Sequence, residues 1–158
     1  MAEYSQLVPG YVVRAQWPGP DYFLNVSGLS WTDQQGLAQG GGTTYSGRGG
    51  TSNWFHFPIT NPTIFNGVRL KCNLAAVTLN LRPAATLIRF HLWDRVNRFF
   101  TRDGLSVGGD LSNTWNPGQN MFTFADHSVD GAVGISVAIS FTADSDVTFT
   151  GAGLRFHD

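Results

Sequence analysis

A chain of 158 residues with 42% hydrophobic and 13% aromatic residues has ample material for a core and lies outside the highly charged, weakly hydrophobic compositions of disordered chains. Its formal net charge of −1 supplies no long-range field to gather nucleic acid or anionic lipid, so no nucleic-acid partner is expected. Every cation except Lys71 is arginine and Glu3 is the sole glutamate; the strong formers of exposed helices are scarce, and strands are expected instead.

Tyr11, Val13, Ala15 and Trp17 alternate with Val12, Arg14 and Gln16, a two-residue period that predicts a first strand over 11–17. Pro18, Gly19 and Pro20 stop it, and a second strand is expected over 22–29. The stretch 36–50 holds seven glycines and reads as a loop. Its Gly47, Arg48, Gly49 and Gly50 lead into Thr51 rather than into a Gly-Lys-Ser/Thr helix start, so it is no phosphate cradle. A short aromatic strand is expected over 53–57, closed by Pro58 and by a turn at Asn61 and Pro62.

Val68, Leu70, Cys72 and Leu74 alternate with Arg69, Lys71 and Asn73, after which the apolar set changes parity to Val77, Leu79 and Leu81. One extra residue reverses which side chains face a core, so a β-bulge or a bend between sheets is expected at Ala75 and Ala76. Arg82 and Pro83 end this strand, and the next, over 86–93, is expected to pair with it as a hairpin, with Ile88, Phe90 and Leu92 inward and Arg89, His91 and Trp93 outward. A strand over 97–102 and a polar loop over 103–118 follow. Met121 to Ala125 is a short strand, and Val133, Ile135, Val137, Ile139 and Phe141 alternate with small residues in the clearest half-buried strand. The last strand, over 147–156, changes parity near Gly151 to Gly153, where a second bulge is expected.

Strands at this spacing, without intervening helical periods, define an all-β chain. The expectation is an antiparallel two-sheet β-sandwich, jelly-roll-like, or a flattened barrel of roughly 8–10 strands, forming a single domain over 1–158. No 18-residue apolar run and no signal-peptide pattern is present, so no transmembrane segment is expected and the cytoplasm is the default compartment.

Five segments resemble an uncharacterised bacterial domain family of unknown function. They are Thr51-Ser52-Asn53-Trp54-Phe55-His56-Phe57-Pro58-Ile59, His91-Leu92-Trp93-Asp94-Arg95-Val96-Asn97-Arg98, Asp103-Gly104-Leu105-Ser106 with Gly109-Asp110, Gly134-Ile135-Ser136-Val137, and Phe149-Thr150 with Ala152-Gly153. The chain departs from the family pattern at Ile59-Thr60-Asn61-Pro62, where the family has Ile-Pro-Thr-Pro, and at Trp93-Asp94-Arg95, where it has Tyr-Asp-Gly. The resemblance implies a shared β fold and carries no activity, cofactor or site residue.

The residues themselves offer few catalytic patterns. No Gly-x-Ser-x-Gly elbow surrounds a serine, and the aspartates sit mostly in turns, without a second glutamate for a glycosidase pair. Cys72 stands among apolar residues and reads as a core thiol. None of the four histidines, His56, His91, His127 and His157, lies in a short metal-ligand spacing. His56, His91 and Asp94 are the metal candidates should the fold join them, as ligands or as an acid-base set. The acidic stretches 103–110 and 126–130 lack the alternating order of a calcium loop. No cofactor is expected.

If Phe55 and Phe57 point into the core, strand alternation places Trp54 and His56 on the outward face of their strand, as it places Arg89, His91 and Trp93 on the outward face of theirs. If those strands are neighbours, the five side chains share a surface, with indole rings to stack on a flat ligand and cations to donate hydrogen bonds. Trp31, Trp115 and Asn116 are loop candidates of the same kind. The sequence therefore favours a non-enzymatic recognition or interaction module, either lectin-like with a carbohydrate or protein partner, or a structural subunit that self-associates as a homo-oligomer. The alternative is a small metal-binding protein or metal-dependent enzyme built on His56, His91 and Asp94.

Overall fold

The computed structural model of the protein describes residues 3–24, 36–39, 42–61 and 63–158, without the side chains of Tyr11 and 36–39. In chain order the strands are β1 (Glu3–Pro9), β2 (Arg14–Ala15), β3 (Gly36–Gln39), β4 (Gly42–Gly47), β5 (Thr51–Ile59), β6 (Ile64–Phe65), β7 (Val68–Arg69), β8 (Lys71–Leu81), β9 (Ala85–Asp94), β10 (Asn97–Val107), β11 (Gly109–Leu111), β12 (Met121–Ser128), β13 (Val133–Phe141) and β14 (Ser145–His157).

They form two antiparallel sheets packed face to face, an open sandwich and not a closed barrel. In the seven-stranded sheet β8 and β14 lie side by side; β11 and β12 pair with the free edge of β8, and β1 and β4 pair with that of β14, with β3 beyond β4. The five-stranded sheet runs β10-β9-β13-β5-β2, and β6 and β7 make a separate two-stranded ribbon.

The core is aromatic and bridges the sheets. Phe149 of the larger sheet meets Phe55 and Phe57 of the smaller one, with ring centroids 4.8 and 5.5 Å apart. Tyr45 packs 4.9 Å from Phe55. Each fully buried ring of this size contributes about 1.5–3 kcal/mol. The Tyr45 hydroxyl donates to Val13 O at 3.2 Å, and burial pushes its pKa up to about 12. Cys72 is buried as expected, and its thiol is pushed up to about 12 by burial first and by the charges of Asp94 and Asp126. It stays protonated and unreactive at neutral pH.

Several expectations are corrected. The glycine-rich stretch is not all loop, because β3 and β4 fall within it, and β4 alternates with Thr43 and Tyr45 buried. Gly47 suits a strand here for a packing reason: a Cβ at that position would stand 2.4 Å from the Phe141 ring. The predicted strand over 11–17 is a 3-10 turn at Gly10–Val12 followed by the two residues of β2, and the actual first strand, β1, lies before it. Pro58 continues β5 instead of closing it, and 25–29 of the predicted second strand, with Trp31 and Pro62, lie outside the described residues.

The segment between β8 and β9 makes no hairpin. It is a corner that carries the chain from one sheet to the other, with Ala84 in the left-handed region (φ 75°). The loop expected over 103–118 instead contains the end of β10 and all of β11. Both bulges exist close to where parity placed them. Asn73 is the extra residue opposite Arg155 and Phe156, two positions before the alanine pair, and Thr150 is the extra residue between Phe149 and Gly151. A third bulge, at Ile88, puts Leu87 rather than Ile88 into the core.

Candidate functional site

The outer face of the five-stranded sheet is organised by its central strand. β13 sends Val133, Ile135, Val137 and Ile139 inward, so Gly134, Ser136 and Ala138 point outward. In register, Ser136 stands between His56 of β5 and His91 of β9, Ala138 between Trp54 and Arg89, and Gly134 between Pro58 and Trp93. A strand of small outward side chains flanked by two strands of large ones leaves room above its middle. Trp54 uses that room, reaching across β13 to His91 with ring centroids 4.7 Å apart.

The five residues singled out from alternation thus come together. Trp54, His56, Arg89, His91 and Trp93, joined by Gln16, Arg98 and Ser136, line a cleft of about 240 Å³. A second cleft of about 570 Å³ opens beside it over Gly134, sharing His56, Trp93 and Ser136 and bordered by Arg14 and Arg95. Trp54, His56 and Trp93 are half-buried. His91, expected to face solvent, is only 4% exposed because Trp54 covers it. It acts on the site by holding Trp54 and Asp103 in place.

The polar contacts fix these side chains. His56 Nε2 donates to Gln16 Oε1 at 3.2 Å, which leaves Nδ1 of the neutral ring to accept from the Ser136 hydroxyl at 2.8 Å. Burial lowers the pKa of His56 below 6.5, and this tautomer agrees with a neutral ring. His91 Nε2 donates to Asp103 Oδ1 at 2.8 Å, and Arg89 stands 3.8 Å from the same oxygen. The hydrogen bond from His91 is the main cause holding the Asp103 carboxyl below its usual range. The Arg98 guanidinium lies over Trp93, 5.8 Å from the ring centroid.

Ser136, His56 and Gln16 stand in the order of nucleophile, base and orienting amide, a contact that no sequence motif announced. Yet β13 is paired on both sides. Its N–H groups are committed to the ladders, so Ser136 has none from its own strand to offer a developing oxyanion. The contact positions His56 and is poorly placed for acyl transfer.

Asp94 is not part of this face. It is buried, and its Oδ2 accepts from the Asp130 backbone N–H at 2.7 Å and from His127 Nε2 at 3.0 Å, while His127 stacks on Phe99 at 3.8 Å. His56 and His91 are separated by β13, which places their backbones about 10 Å apart at ordinary strand spacing. The metal candidates therefore do not meet as a set. Among the described residues no group of three or more His, Cys, Asp or Glu is placed to hold a metal ion.

Of the loop candidates, Trp31 is outside the described residues, and Trp115 and Asn116 lie elsewhere. Trp115 is 45% exposed and lines a cleft of about 340 Å³ on the outer face of the seven-stranded sheet, with Leu7, Leu74 and Met121. Asn116 is held by its neighbour Asn120, whose Oδ1 accepts from the Asn116 N–H at 2.8 Å. Among the described residues no helix is long and apolar enough to cross a membrane.

No protein-family model and no curated protein matches the sequence. One solved structure similar to this chain is described as a low-affinity xylan binding module from the gut symbiont Roseburia intestinalis. It is 16% identical with a TM-score of 0.46, and the match covers 96% of this chain and 94% of that one. The likeness gives no residue of this chain a role.

Proposed function

We propose that this protein is a non-catalytic recognition module that binds a glycan on the outer face of its five-stranded sheet. The observation that carries this reading is the convergence of Trp54 and Trp93 with His56, Arg89, Gln16 and Arg98 on one cleft of about 240 Å³. Half-buried indoles offer apolar faces on which a sugar ring stacks, and the fixed polar side chains around them select its substituents. Apart from Gln16, which follows β2, the site rests on strands, so little ordering is required when a ligand arrives. Catalysis finds less support, because no carboxylate lines the cleft and Ser136 lacks oxyanion donors from its own strand.

Tryptophan fluorescence and calorimetric titration with a panel of oligosaccharides test the reading, with light scattering on the same samples. The expected result is saturable binding of one sugar class that Trp93→Ala weakens at least about tenfold, as for a buried aromatic anchor. Binding of no sugar, or binding that Trp93→Ala leaves untouched, overturns it. A defined oligomer without any sugar binding shifts the function to assembly.

A further inference from the structure

Resting on the glycan reading above, we infer that the ligand is an acidic saccharide, a sugar bearing a ring carboxylate, held at the Arg89 and Arg98 end of the cleft while its ring stacks on Trp93. Two observations carry this. The first is charge: Arg14, Arg89, Arg95 and Arg98 border the two adjoining clefts, and no Asp or Glu lines either, in a chain whose formal net charge is −1. Asp103 stands outside the lining, bonded to His91 and 3.8 Å from Arg89. Arg95 is tied by a carbonyl, donating to Asp130 O at 2.6 Å, which fixes the side chain without neutralising it.

The second observation is the balance of donors and acceptors. A neutral sugar presents hydroxyls that donate as readily as they accept, and sites for such ligands need acceptors. Here Gln16 Oε1 already receives the His56 N–H, while Ser136, its proton given to His56, offers the cleft its oxygen as an acceptor. The donors still outnumber these acceptors, because Arg89 and Arg98 bring guanidinium groups whose planar N–H pairs match a carboxylate. Arg98 lies over Trp93, 5.8 Å from its centroid, so a substituent on a ring stacked beside it meets the cation directly.

The test is a calorimetric titration of the full chain with trigalacturonate and with the neutral galactose trisaccharide, at low and high salt, repeated on Arg98→Gln. The acidic trisaccharide is expected to bind at least about tenfold tighter at low salt. That preference should shrink as salt screens the charges and should fall in Arg98→Gln. Equal affinity for the two sugars overturns the acidic ligand while leaving the glycan reading intact, as does a preference that neither salt nor Arg98→Gln diminishes. Binding of neither sugar overturns the acidic ligand, and the oligosaccharide panel then decides the glycan reading on its own.

Discussion

The two outer faces of the sandwich each carry a tryptophan beside a cleft, and they differ in what surrounds it. On the five-stranded face, Trp54 and Trp93 stand among arginines, histidines and an amide fixed by hydrogen bonds. On the seven-stranded face, Trp115 stands among Leu7, Leu74 and Met121, with Arg155 as the nearby cation. An exposed indole therefore does not define a sugar site. Recognition of a polar ligand needs donors whose positions are set before it arrives, and only the first of these two clefts has them in number.

The largest effect expected concerns the support beneath Trp115. Buried Asn120 donates to Val77 O at 2.9 Å and to Thr114 O at 2.8 Å while accepting from the Asn116 N–H. Asn120→Ala leaves these groups unpaired inside the protein and should cost about 2–3 kcal/mol, read by denaturant unfolding. Sugar affinity of the folded protein should not change; a loss there means the two faces are coupled. Next in size is the contrast between the tryptophans. Trp93→Ala should weaken sugar binding at least about tenfold, whereas Trp115→Ala should leave the titration curve where it was. Equal losses from both variants would end the distinction between the faces.

The sequence legibly announced the strands that build this site and concealed how they are joined. The alternation from Val133 to Phe141 matches β13 residue for residue, because one face is wholly buried and the other is small. Trp54, His56, Arg89, His91 and Trp93 follow from the same period. Gln16, Ser136 and Arg98 were not legible as site members, since strand order and register bring them there and neither is written in local pattern. The hairpin expected after Leu81 failed for a related reason: a short connection serves a sandwich corner as well as a turn within one sheet. Thr43 and Tyr45 were hidden by the glycines around them, although their alternation is that of an ordinary buried strand.

A third, smaller effect is pH dependence on the five-stranded face. Burial depresses the folded pKa of His56 below 6.5, so between that value and its folded pKa the unfolded chain binds the extra proton. Stability from the neutral ring is full above pH 6.5 and is lost as pH falls through the folded pKa. Thermal unfolding from pH 7.5 to 4.5 should show a declining midpoint that flattens in His56→Gln. The same protonation breaks the bond His56 accepts from Ser136, so sugar affinity should decline over the same window. An affinity that rises on acidification, with His56→Gln abolishing the rise, would show that the protonated ring serves the ligand better.

The smallest effect separates electrostatics from packing at the rim. Asp103 is held below its usual range chiefly by the hydrogen bond from His91, and its side chain is 62% exposed, so water screens most of its interaction with Arg89. Its contribution is present above pH 3.8, the ordinary value, and is lost as pH falls through the lower folded pKa. Asp103→Asn should therefore cost less than about 1 kcal/mol at neutral pH, while flattening the acid limb of the stability curve below pH 4. It also removes the carboxylate that stands 3.8 Å from Arg89. If the cleft takes an acidic sugar, the variant should bind it more tightly than the native chain even as the protein becomes slightly less stable. A stability loss accompanied by weaker binding would mean that Asp103, through His91 and Trp54, shapes the cleft more than it discharges it.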